Sequence, residues 1–172
     1  MKALDPKPLY EAIGQYVIGF QWLVNKLWLA ATFAQHPEQQ TSDRWALLDL
    51  SLARLIDQFQ SSALAFVRRC QPERAPAFET ELKALIDRCH DARKRRNRFI
   101  HSAYVHLEGG GELLGIFRSD IISRGAVTPE TPMFDQEPAT PELFKQELER
   151  AVQIGIEVGQ CHMQLIHWYK PS

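Results

Sequence analysis

Apolar residues in the first part of the chain recur every three or four positions, at Leu9, Ile13, Tyr16, Phe20, Leu23 and Leu27. That spacing lines one face of a helix, predicted from Lys7 or Pro8 to Ala34, since proline is tolerated in a first turn. Trp22 and Trp28 fall off the stripe and imply a second covered face. A second helix is expected to start near Thr41, Ser42 or Asp43, all good N-caps. Its stripe is Trp45, Leu48, Leu52, Leu55, Phe59, Ala63 and Phe66, and Gln71-Pro72 ends it. A third helix is expected from Pro76 or Ala77 to about His101 or Tyr104. The period then changes, and residues 104–107 and 113–117, around Gly109-Gly110-Gly111, read as a β-hairpin that must lean on the helices. Residues 123–138, with Gly125, Pro129, Pro132 and Pro138, read as a long irregular loop. Thr140, Pro141 and Glu142 open a fourth helix, whose stripe runs from Phe144 through Leu148, Ala151, Ile154, Val158, Cys161 and Leu165 to Trp168. On that helix Gly155 and Gly159 leave room for another helix to approach closely. The expected fold is all-α: one domain, a four-helix up-and-down bundle with a β-hairpin inserted between helices three and four.

Composition changes this picture little. The chain has 172 residues, 45% hydrophobic and 24% charged, with a formal net charge of −1. That is an ordinary globular balance, and bulk charge predicts no polyanion partner. Locally, Arg88, Arg93, Lys94, Arg95, Arg96 and Arg98 crowd one short stretch against Asp87 and Asp91. Cys70, Cys89 and Cys161 form no Cys-x-x-Cys pair, which points to reduced thiols in a cytoplasmic protein rather than disulfides or zinc. Residues 1–10 lack a signal-peptide pattern. Gln21, Asn25 and Lys26 interrupt the most apolar stretch, residues 16–34, so a buried helix is expected there and not a membrane span.

The candidate chemistry lies on the third helix. Back from Phe99, its seam reads Arg96, Ala92, Cys89, Leu85, Leu82 and Phe78. Every member but Arg96 is small or apolar, and an unpaired buried guanidinium is costly. At about 100° per residue, Asn97 and His101 lie one above the other at the border of the seam, roughly 100° and 140° from Arg96. Arginine offers a fork of donors to phosphate oxygens, and histidine exchanges protons near neutral pH.

The hexad Arg96-Asn97-Arg98-Phe99-Ile100-His101, near the end of the third of four helices, resembles the Arg-Asn-x-x-x-His signature of the HEPN superfamily. The resemblance implies a metal-independent endoribonuclease with no cofactor. Arg96 would bind the scissile phosphate, His101 would transfer protons and Asn97 would orient one or the other. It further implies a homodimer whose two motifs face each other, RNA or a nucleotide as ligand, and a role in phage defence or beside an antitoxin. Arg93, Lys94, Arg98 and Tyr104 are the candidate substrate-binding residues. Some toxin members carry a Tyr two residues beyond the His, whereas here Ser102 and Ala103 precede Tyr104. Other members bind RNA or nucleotides without cutting, or only assemble.

Simpler readings stand beside these. Arg96 could form an ion pair with Asp57 or Glu147. His101 could end its helix by bonding a carbonyl. Arg93, Lys94, Arg95 and Arg98 could form a solvated face. His90 and His106 are weaker candidates. His162, His167 and the four tryptophans read as structural.

Overall fold

A computed structural model describes residues 4–38, 50–121 and 134–169. Its helices are α1 (Lys7–Gln35), α2 (Leu52–Cys70), α3 (Ala75–His101) and α4 (Pro141–Trp168). Its strands are β1 (Ala103–Gly109), β2 (Glu112–Ile121) and β3 (Phe134–Pro138). Two units cluster separately: Met1–Val17 with Lys94–Leu148, and Ile18–Arg93 with Glu149–Ser172. The helices α1, α3 and α4 contribute to both. The expected start of the second helix at Thr41, Ser42 or Asp43, and its Trp45 and Leu48, lie outside the described residues. Within them α2 begins after Ser51, whose hydroxyl accepts from the Arg54 amide at 3.4 Å.

The second unit is helical. Ile56, Phe59, Ala63, Phe66 and Val67 of α2 are buried, as are Leu23, Leu27, Ala30 and Ala31 of α1. Phe33 meets Phe66 with ring centres 5.8 Å apart and His162 at 5.4 Å. Phe78 meets Trp168 edge-on at 5.6 Å. Ion pairs join Arg68 to Glu79 at 3.0 Å and Arg88 to Glu157 through both terminal guanidinium nitrogens, and a hydrogen bond joins His90 to Asp57 at 3.0 Å. These pairings fix directions. Along α3, Phe78 and Arg88 meet Trp168 and Glu157, so α3 runs against α4; Glu79 and His90 meet Arg68 and Asp57, so α3 also runs against α2. Along α1, Trp22 and Phe33 meet Gly155 and His162, so α1 runs parallel to α4. The expected up-and-down order therefore holds from α2 to α4 but fails at α1. A short turn would force an antiparallel neighbour, whereas residues 36–51 separate α1 from α2.

At Gly155 the indole of Trp22 on α1 packs against the α4 backbone. A Cβ there would clash with Cζ3 and Cε3 of Trp22. Gly155→Val is expected to push the indole outward and to cost about 1–3 kcal/mol by overpacking, read as a lower urea midpoint with an unchanged slope.

The first unit joins the sheet to three helix segments. Tyr16, Phe99 and Phe144 form an aromatic triad with centres 5.3–6.0 Å apart. β1 and β2 pair antiparallel from Ala103↔Ser119 to Gly109↔Glu112, with an irregularity after Leu107. Gly110 and Gly111 make the turn with φ of 64° and 83°, the left-handed conformations that a tight two-residue hairpin needs and glycine adopts freely. Part of the expected loop is a strand instead: β3 pairs with residues 117–121 of β2. Pro138 is tolerated because it ends an edge strand. The rest of that loop, residues 123–133, lies outside the described residues. Thr140 caps α4 as expected, its hydroxyl accepting from the Leu143 amide at 3.3 Å.

Two buried acidic hydrogens set an alkaline limit. Burial pushes the Cys89 thiol up to about 12 from 9.0, against the opposing charge of Arg88. The Tyr16 phenol is raised as well, first by burial and then by Glu147. Both groups favour their neutral form in the fold. Their contribution is complete below about pH 9 and is lost as pH rises towards 12. Melting temperatures should therefore fall above pH 9, and Cys89→Ala should make that fall shallower.

Candidate functional site

Six of the seven seam residues of α3 are buried: Phe78, Leu82, Leu85, Cys89, Ala92 and Phe99. Arg96 is the seventh and is half-buried. Its Nη1 donates to Oδ1 of the adjacent Asn97 at 3.2 Å. The carboxylates weighed as partners for Arg96 are engaged by other side chains. Arg95 lies 3.1 Å from Glu147, which is 6% exposed, and His90 takes Asp57. Arg95 is thus paired with a buried carboxylate while its side chain stays partly exposed. Its Nε sits at ion-pair distance from Glu147 without hydrogen-bond alignment. Arg96 remains close enough to the buried Tyr16 phenol to oppose the rise in its pKa. The guanidinium is therefore held by an amide, with no ion-pair carboxylate found for it among the described residues.

His101 ends α3 and is exposed. No described residue hydrogen-bonds its ring. Asn97, one turn before it, is half-buried and engaged with Arg96. Of the residues expected to bind substrate, Lys94 and Arg98 are exposed and Arg93 is half-buried. The Nε of Arg93 is buried without a hydrogen-bond partner. Tyr104 is engaged in structure: its hydroxyl donates to the Phe99 carbonyl at 2.8 Å and its ring packs on Phe144 at 6.5 Å. It satisfies one of the carbonyls that a helix end leaves open. His106 sits on β1 with its Nε2 3.2 Å from the hydroxyl of Tyr10.

Sequence reasoning missed Arg118. Its side chain is 1% exposed. It forms an ion pair with Glu137 of β3, donates from Nη1 to Ser102 Oγ at 3.3 Å, and lies 5.0 Å from the centre of the Phe99 ring. The Ser102 hydroxyl in turn donates to the Arg98 carbonyl. Arg118 thereby ties β2 and β3 to the residue immediately after His101. Strand alternation carried a usable signal, because Arg118 lies two residues beyond Ile116 and so shares its inward face.

What the arrangement can do follows from these contacts. A half-buried guanidinium with no ion-pair carboxylate can take a phosphate, and an exposed imidazole five residues on can move a proton. No group of three or more His, Cys, Asp or Glu side chains among the described residues could hold a metal ion. No helix among the described residues is long and apolar enough to cross a membrane. No protein-family model, curated protein or solved structure matches this chain.

Proposed function

We propose that this chain is a HEPN-like endoribonuclease, a single helical domain that cleaves RNA without a metal. One observation carries the reading: Arg96 occupies the apolar seam of α3 and is held by Asn97, while its neighbour Arg95 takes the buried carboxylate of Glu147. A structural arginine would be expected to take that acid itself. In this reading Arg96 binds the scissile phosphate, and Lys94 and Arg98 draw the strand in. The RNA 2′-hydroxyl attacks its own phosphorus and gives up its proton to a base. The bond to the 5′-oxygen breaks, and that oxygen takes a proton from an acid. His101 supplies one of these proton transfers, and His101 of a second copy supplies the other. The products are a cyclic phosphate and a free 5′-hydroxyl. In the cell such an enzyme would act in defence or under control of an antitoxin.

One observation favours a second reading, a non-catalytic module that binds RNA or a nucleotide or serves assembly. His101 is exposed, and no described residue orients its ring. Mixed RNA incubated in EDTA with wild type, Arg96→Ala and His101→Ala separates the two. The nuclease reading expects cleavage by wild type alone. RNA bound but left whole by wild type, with binding kept in His101→Ala and weakened in Arg96→Ala, would support the second.

A further inference from the structure

Three residues of α1 lie off its apolar stripe: Trp28, and the amides Gln21 and Asn25 that break the most apolar stretch of the chain. Spaced by four and then three, they share one face of the helix. That face lines a cavity of about 440 Å³, together with Val24 of the same helix and Leu52 and Leu55 of α2. All six residues belong to the unit formed by Ile18–Arg93 and Glu149–Ser172. None belongs to the Arg96–His101 hexad.

We propose that this cavity binds an uncharged, largely apolar small molecule that carries a hydrogen-bond acceptor. The inference stands apart from the nuclease reading. Size is its first support, because small-molecule sites commonly enclose about 300–1,000 Å³. The layering of the walls is the second. Leu55 is buried, Val24, Trp28 and Leu52 are half-buried, and Gln21 and Asn25 are exposed. An apolar interior beneath a few polar groups is the common design of such sites.

The polar groups define what the ligand offers. The indole N–H of Trp28 is buried and has no hydrogen-bond partner among the described residues. A donor left unpaired in this way is costly, and a carbonyl oxygen or ring nitrogen on a bound molecule relieves the cost. At the exposed side Gln21 Nε2 donates to Asn25 Oδ1 at 3.3 Å. That bond leaves a carbonyl oxygen on Gln21 and an amide N–H₂ group on Asn25 free to meet a polar substituent. None of the described lining residues carries a charge. Lys26, the cation on this stretch of α1, is drawn over the ring of Trp22, 5.2 Å from its centre. An anionic ligand would therefore bury its charge without a partner. A peptide is disfavoured too, because the walls are helices whose backbone groups are already paired and offer no strand edge.

Titration of the full chain with Prodan, an uncharged naphthalene ketone whose fluorescence shifts to the blue in apolar surroundings, tests this. Wild type is expected to bind one dye per chain, saturably. Val24→Phe fills the cavity and should weaken binding by about 10-fold or more. Trp28→Phe keeps a ring but removes the N–H, and should weaken Prodan by about 2–10-fold, the worth of one neutral hydrogen bond. It should weaken dimethylaminonaphthalene, which lacks the ketone, by less. Anilinonaphthalene sulfonate should bind more weakly than Prodan. Circular dichroism checks the fold of each variant, and either one alone suffices to place the dye. Arg96→Ala should bind Prodan like wild type. No saturable binding by wild type overturns the proposal. Equal affinity in a folded Val24→Phe also overturns it, because the dye then sits elsewhere. Equal losses of the two neutral dyes in Trp28→Phe, or tighter binding of the sulfonate, overturn the assigned ligand chemistry.

Discussion

Replacing His101 with Ala is expected to lower RNA cleavage by about 10²–10⁴, the usual contribution of a positioned proton-transfer residue. The stability of the fold should barely change, because the side chain is exposed and ends its helix. Arg96→Lys should also lose most activity while keeping the charge. A lysine presents a point charge where the guanidinium offers a planar fork, and it cannot both reach Asn97 and grip two phosphate oxygens. The pair of results distinguishes chemistry from electrostatics. If field alone mattered, lysine would suffice and alanine at His101 would be tolerated. Rates measured on one RNA under saturating enzyme, with melting curves for each variant, decide the matter.

The second large effect concerns stability. Arg118→Ala is expected to cost about 2–5 kcal/mol, the range for deleting a large buried side chain and leaving a cavity. Arg118→Met should cost much less. Methionine refills the space beneath Phe99, and Glu137, at 44% exposed, regains water when its partner is lost. The comparison isolates what the arginine does. A large loss with Ala and a small one with Met assigns its role to volume under the aromatic triad. Equal, large losses would assign it to the ion pair and to the hydrogen bond with Ser102. Urea denaturation of the three proteins gives the answer.

The helix ends were legible where they rest on local chemistry. Thr140-Pro141, Gln71-Pro72 and the seam of α3 act through backbone sterics, capping and periodicity, all written within a few residues. The direction of α1 was not legible, because it depends on where Trp22 and Phe33 find partners on α4. β3 was missed for a related reason. Residues 134–138 show no apolar alternation, and their strand exists because β2 offers them a ladder. At the site, periodicity put Arg96 on the seam correctly. It could not decide which of two adjacent arginines would meet Glu147, since that carboxylate arrives from α4 and the two side chains differ by one step around the helix. Nor could it reveal Arg118, whose partners lie on β3 and just beyond the end of α3.

The most direct test of the central claim is the chemistry of the RNA ends left by wild-type protein in EDTA. Cyclic phosphate on the upstream fragment and a free hydroxyl on the downstream one are expected, with both absent for the His101→Ala variant. Intact RNA, or fragments bearing a 3′-hydroxyl and a 5′-phosphate, would contradict the assignment of Arg96 and His101 to this reaction.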